Sequence, residues 1–214
     1  MMDLKVKNSI LAYLDQQYPN VGCELWYRKD YELLIAVVLS AQTSDQAVNQ
    51  VTPVLFQRFP TLKTLANAKL KDIEAVIQTI GLFRTKAKHI HQLAKILIEQ
   101  YQGRVPSDKA ALTSLPGVGN KTANVVRAEI FKIPEIAVDT HVHRLARRLG
   151  FTKKHDDVTV TEAKLRRAIP ESRYIQLHHQ FIHFGRYACK AKKPMCQSCG
   201  LVAYCKEPHK NLEE

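Results

Sequence analysis

The stretch YELLIAVVLSAQ, residues 31 to 42, is apolar on every side. A helix with no polar face must be surrounded by other elements, so this segment is expected at the centre of a helical bundle. The rest of the chain agrees. Apolar residues recur at helical spacing, and no period-two alternation bounded by turn residues interrupts them, which predicts an all-α fold. An amphipathic segment over 5 to 18 is followed by the turn-like PNVGCE. Thr43 and Gln46 fit a capping box opening the next helix, which ends before Phe59-Pro60. Segments at 61 to 68 and 71 to 80 follow, the second with Ile73, Val76, Ile77 and Ile80 on one face and Gly81 at its end. A longer helix over 84 to 101 points Ala87, Ile90, Ala94 and Leu97 inward and is closed by Gly103 and Pro106. A short helix then runs to Leu115, and after the turn PGVG a second covers 120 to 131. Beyond Pro134, Asp139 is placed to cap a helix over 140 to 149, and helices at 159 to 169 and 172 to 187 complete the pattern.

The 214 residues are 45% hydrophobic, enough for one sizeable core or two lobes. The sequence has no run of about 18 apolar residues, and MMDLKVKNSI has neither the apolar core nor the small-residue cleavage site of a signal peptide. The chain is therefore expected to be soluble and intracellular, with no membrane partner. Its 32 Lys and Arg against 20 Asp and Glu leave a net charge of +12, which favours polyanionic partners through counterion release. The excess is concentrated. Between His141 and Lys193 stand 13 Lys or Arg and 4 Asp or Glu, which accounts for nine of the twelve net charges.

Leu112, Leu115, Gly117, Gly119 and Ala123 outline a helix, a four-residue turn and a second helix. The two glycines are read as permitting backbone conformations closed to other residues and close approach of a bulky ligand. Free N–H groups at the Gly117-Val118-Gly119 turn and at the following helix start would then hold a phosphate, a sequence-independent grip on DNA. An ordinary αα-corner would use the same glycines. Lys121 falls in the first turn of the second helix, where the helix dipole disfavours positive charge. Neighbouring cations and partial burial would favour the neutral amine, a nucleophile able to form a Schiff base. Contact with a phosphate is the simpler alternative. Asp139, 18 residues later, could stabilise positive charge developing at a sugar carbon or relay protons, and it could equally serve as a plain N-cap.

Cys189, Cys196, Cys199 and Cys205 form a C-x6-C-x2-C-x5-C set, CKAKKPMCQSCGLVAYC. Four thiols in so short a span of an intracellular chain point to a metal rather than to disulfides. Structural zinc is one reading, although only one short Cys pair is present; uneven loops suit a [4Fe-4S] cube at least as well. The loop KAKKPM, with Lys192 and Lys193, would be pinned by such a centre where it can lie on a phosphate backbone. Cys23 stands apart and reads as a small buried residue.

Taken together, LLIAVVLSAQTSD, TIGLFRTKA, ALTSLPGVGNKTANVV, IAVDTHVHRLARRLG and HHQFIHFGRYACKAKKPMC resemble the endonuclease III family, bifunctional DNA glycosylases and abasic-site lyases of base-excision repair. The order and spacing of these motifs run over nearly the whole chain. The resemblance implies a six-helix barrel over about 22 to 132, with the helix-hairpin-helix at about 109 to 128. It implies a discontinuous iron–sulfur domain from 1 to 21 and 133 to 214, with DNA in a groove between the two. It also implies a [4Fe-4S] cofactor on the four cysteines, Lys121 as nucleophile and Asp139 as its partner carboxylate. Gln42 and Leu82 match loop residues that fill the gap left by an extruded nucleotide, and Asp45 an acidic residue near the pocket. The expected partner is damaged double-stranded DNA, bound by a cytoplasmic monomer, nucleoid-associated in a bacterium. Relatives acting on adenine mismatches carry serine, and some acting on thymine mismatches tyrosine, where this chain has Lys121. Two rival readings are a monofunctional mismatch glycosylase and a non-catalytic iron–sulfur DNA-binding protein.

Overall fold

A computed structural model describes residues 2 to 212. Among the described residues the regular elements are all helical. The chain divides into two compact units, one built from Glu24–Ile133 and one from the two chain ends, Met1–Cys23 and Pro134–Glu214.

The continuous unit is organised around α2, Asp30–Leu39. Leu33, Leu34, Ile35 and Leu39 are each 0% exposed, and burying each contributes about 1.5–3 kcal/mol. Around α2 stand α3 (Asp45–Arg58), α6 (Phe83–Tyr101) and α8 (Asn120–Phe131), while α4 (Leu62–Ala66) and α5 (Leu70–Ile77) pack on α6 and α7 (Lys109–Thr113) packs on α8. The inward row Ala87, Ile90, Ala94 and Leu97 of α6 is fully buried, as its spacing predicts. On α5, Ile73 and Ile77 are buried but Val76 is only half-buried.

Two predicted boundaries are corrected here. The central helix stops at Leu39 rather than at Gln42, because Ser40 turns its hydroxyl back onto the Val37 carbonyl and the chain then enters a turn. The cap of α3 is Ser44, whose side chain accepts the Ala47 N–H at 3.2 Å, not Thr43. Thr43 is occupied elsewhere: its Oγ1 accepts a hydrogen bond from Lys86 Nζ at 2.7 Å.

The discontinuous unit gathers α1 (Leu4–Gln17), α9 (Thr140–Arg148), α10 (Val158–Ala168) and α11 (Tyr174–His183) around a core that includes Ile10, Leu14, Val142, Leu145, Phe181 and Phe184. The two ends of the chain are tied by Arg173, which reaches Asp15 at 2.6 Å and 3.0 Å. The helix expected over 172 to 187 is composite. It begins as a 3-10 turn at Glu171–Arg173 and ends as a π-helical turn at Phe184–Ala188. Widening of this kind marks places where a side chain intrudes on the ladder. Here Arg144 Nη2 donates to the Gly185 carbonyl at 2.8 Å, and a Cβ at Gly185 would stand 2.9 Å from the His141 Cβ.

Candidate functional site

In the continuous unit the hairpin elements α7 and α8 are joined by residues 114 to 119. Gly117 has φ +78°, and a Cβ there would lie 2.8 Å from His89 Nδ1 and 2.9 Å from Val38 Cγ1. Only glycine fits that conformation in that space. Gly119 differs from expectation: its φ of −94° is open to any residue. What glycine provides at 119 is clearance, since no atom lies within 4 Å of where its Cβ would be. Val118 is also corrected. Its side chain is 6% exposed and its N–H is used by the Leu115 carbonyl, so it holds the turn rather than offering a donor.

Gly119 caps α8 without a side-chain hydrogen bond. Lys121 is the second residue of that turn. Its side chain is exposed, not partly buried as the sequence suggested.

Gln42 and Leu82 lie in the same unit and share a feature the sequence did not announce. Both take left-handed backbone conformations, with φ 54° and 57°, and both side chains are exposed, Leu82 at 61%. Non-glycine residues held this way cost roughly 1–3 kcal/mol each and cluster where function requires a fixed geometry. Asp45 opens α3 directly after its cap, half-buried, where a carboxylate suits the helix dipole.

In the discontinuous unit Asp139 caps α9, accepting the Val142 N–H at 2.8 Å, and is half-buried. Its neighbour His141 is held below the ordinary histidine value, chiefly by burial, with the Asp139 charge opposing. Lys192 and Lys193 are exposed on the loop between Cys189 and Cys196.

Cys189, Cys196, Cys199 and Cys205 line one small pocket together with Leu149, Phe184 and Leu201, and none is in a disulfide. Among the described residues no three His, Cys, Asp or Glu side chains close to the distances of a single bound ion. Burial pushes the Cys189 thiol up, while the Arg148 hydrogen bond and charge pull it down. Cys199 is raised by burial and by the other three thiols, with a backbone hydrogen bond opposing. Cys23 is outside this pocket and half-buried rather than buried.

Two arginines of α9 were missed by sequence reasoning. Arg148 Nη1 donates to Cys189 Sγ at 3.3 Å and to the Lys190 carbonyl at 2.8 Å, while Arg144 donates to the Cys189 carbonyl. Their spacing of four along RLARR, residues 144 to 148, was the available signal.

Residues 35–171 match the HhH-GPD superfamily base excision DNA repair protein family. Endonuclease III of Bacillus subtilis (strain 168) is 43% identical over 98% of this chain and 96% of its own length. The chain belongs to this superfamily, within the endonuclease III family. Endonuclease III of Escherichia coli (strain K12) is 41% identical over 94% of the chain and 95% of its own. A trapped covalent endonuclease III–DNA intermediate superposes with TM-score 0.93 at 45% identity, covering 97% of both chains. Membership at this identity over the whole length makes the chain a base-excision DNA repair glycosylase and abasic-site lyase of the endonuclease III family. No helix among the described residues is long and apolar enough to cross a membrane.

Proposed function

We propose that this chain binds duplex DNA carrying an oxidised or otherwise damaged pyrimidine, extrudes the nucleotide, removes the base and cleaves the strand. The Lys121 amine, in its neutral form, attacks C1′ as the glycosidic bond breaks and the base leaves with the bonding pair, taking up a proton. Asp139 stabilises the positive charge that develops at the sugar. The adduct nitrogen loses a proton and its lone pair forms the C1′=N bond as C1′–O4′ breaks and O4′ takes up a proton. Loss of a proton from C2′ then expels the 3′ phosphate by β-elimination. Gln42 and Leu82 fill the vacated stack, and Asp45 borders the pocket. The α8 N-terminus with Gly117 and Gly119, and Lys192 with Lys193, hold phosphates. In this reading residues 22 to 132 are the hairpin-bearing barrel, and 1 to 21 with 133 to 214 the cluster domain of a cytoplasmic monomer.

Support comes chiefly from Lys121: an exposed primary amine in the first turn of a helix with no side-chain cap, two residues after a glycine with open space above it. The donor chemistry of the cysteine pocket fits a [4Fe-4S] group, since four thiols line one cavity and arginines stand by to offset thiolate charge. When bound, that group supplies four iron–thiolate bonds that pin the Lys192–Lys193 loop.

The test is borohydride trapping with a duplex containing one oxidised pyrimidine, beside a duplex containing an abasic site. A covalent adduct on both that vanishes in Lys121→Gln is expected. Free base without an adduct would replace this reading with a monofunctional glycosylase, and tight binding without turnover would replace it with a DNA-binding protein.

A further inference from the structure

Lys86 is an anomaly in the continuous unit. It lies in the first turns of α6 and is 3% exposed, although lysine is almost never fully buried unless paired. Among the described residues it has no carboxylate partner. Burial alone holds its amine below the ordinary lysine value, and the partner it has is Thr43 Oγ1, at 2.7 Å. An ammonium carries three donors, and a buried charge satisfied by one neutral hydroxyl is costly. Packing does not call for it, since a methionine would fill the same slot without that cost.

What the hydrogen bond connects accounts for its retention. Thr43 directly follows Gln42, and the Thr43 N–H donates to the Ser40 carbonyl at 3.1 Å, which fixes the turn. On the other side the Lys86 N–H donates to the Leu82 carbonyl at 3.0 Å, so Leu82 and Lys86 form one rigid helical turn. Lys86 therefore spans from the base of the Leu82 turn to the base of the Gln42 turn, and Leu82 and Gln42 are two of the four non-glycine residues held left-handed in the continuous unit, the others being Gln102 and Lys132.

We infer that Lys86 is a positioning residue, a buried strut that sets the separation of the Gln42 and Leu82 turns and so couples the two in nucleotide extrusion. The inference rests on the reading of Gln42 and Leu82 given under Proposed function. It assigns Lys86 no contact with DNA and no part in bond making.

The test compares Lys86→Met, Thr43→Val, their double variant and Thr43→Ser. Single-turnover base excision on a damaged duplex is measured beside strand cleavage on a duplex with a preformed abasic site. Extrusion is followed by the fluorescence of 2-aminopurine placed next to the lesion, and thermal stability is recorded for every protein. Lys86→Met is expected to keep or raise the melting temperature while slowing excision and extrusion on the order of tenfold to a hundredfold, as misplacement of a positioning group does. Cleavage at the abasic site should fall much less. Thr43→Val should reproduce the defect, the double variant should be no worse than either single one, and Thr43→Ser should behave as the parent. Unchanged extrusion in both single variants overturns the strut, as do losses that follow melting temperature or that multiply in the double variant. Leu82→Gly separates the two readings. If it slows extrusion while Lys86→Met does not, only the strut falls; if it too leaves extrusion unchanged, the lesion-turn reading falls and takes the strut with it.

Discussion

Gly117 sits against His89 so closely that a methyl group on its Cα would be 2.8 Å from the imidazole Nδ1. Because φ there is also +78°, Gly117→Ala meets both a steric and a backbone penalty. It should lower stability by about 1–3 kcal/mol. Gly119→Ala, in an extended conformation with open space around it, should leave the unfolding midpoint nearly unchanged and weaken binding to duplex DNA instead. Denaturant melts and fluorescence-anisotropy titrations of the two variants would show whether the glycines divide their labour in this way.

Asp139→Asn separates capping from chemistry. Asparagine accepts the Val142 N–H about as well as aspartate, so the melting temperature should hardly move. The charge is lost, and single-turnover base excision should drop on the order of a hundredfold or more. Activity within a few-fold of the parent would leave Asp139 as a cap and nothing more.

Leu82→Gly relieves a left-handed strain and removes an exposed apolar side chain. Stability should stay level or rise by up to about 1 kcal/mol. Excision from a damaged duplex should slow by roughly tenfold, since flipping costs a few kcal/mol and the filler offsets part of it. Calorimetry and quenched-flow assays on one preparation would reveal such an exchange of function for stability.

Cys199→Ser should yield a protein without the broad visible absorption of an iron–sulfur cube, and with weaker DNA binding. Cys23→Ser, outside the pocket, should keep both. Normal affinity in a colourless Cys199→Ser protein would separate the cluster from the basic loop.

Lys192→Ala and Lys193→Ala should each weaken binding to damaged and undamaged duplexes alike. If each lysine neutralises one phosphate, the slope of log affinity against log salt falls by about 1 per substitution. A slope identical to the parent's would put these side chains off the backbone.

Helix existence and inward faces were legible because period and burial are two views of one pattern: α8 spans Asn120–Phe131, as its spacing predicts, and the α6 row is fully buried. The ends were less so. Thr43 satisfies a capping pattern by sequence yet gives its hydroxyl to Lys86, a partner 43 residues away that no local window includes. The π-helical turn before Cys189 was hidden for the same reason, its cause lying on α9. At the site, residue types could be read from motif spacing, but backbone strain could not. Nothing in LSAQT or IGLFR announces that Gln42 and Leu82 are left-handed. The exposure of Lys121 and the burial of Val118 depend on how the turn seats against α2 and α6, which composition does not encode.

The unit that joins both chain ends imposes an order on biosynthesis. While a ribosome is still making the middle of the protein, Glu24–Ile133 already has every residue of its own core, whereas α1 has emerged with nothing to pack on. Ile10, Leu11 and Leu14 must wait for Phe181, Phe184 and Leu201, and Asp15 for Arg173, 158 residues downstream. Until then a short greasy helix hangs from a finished domain, the kind of nascent segment that holdase chaperones shield. Cys189, Cys196, Cys199 and Cys205 all follow Ile133, so any metal delivered to them meets a protein whose continuous unit is already made.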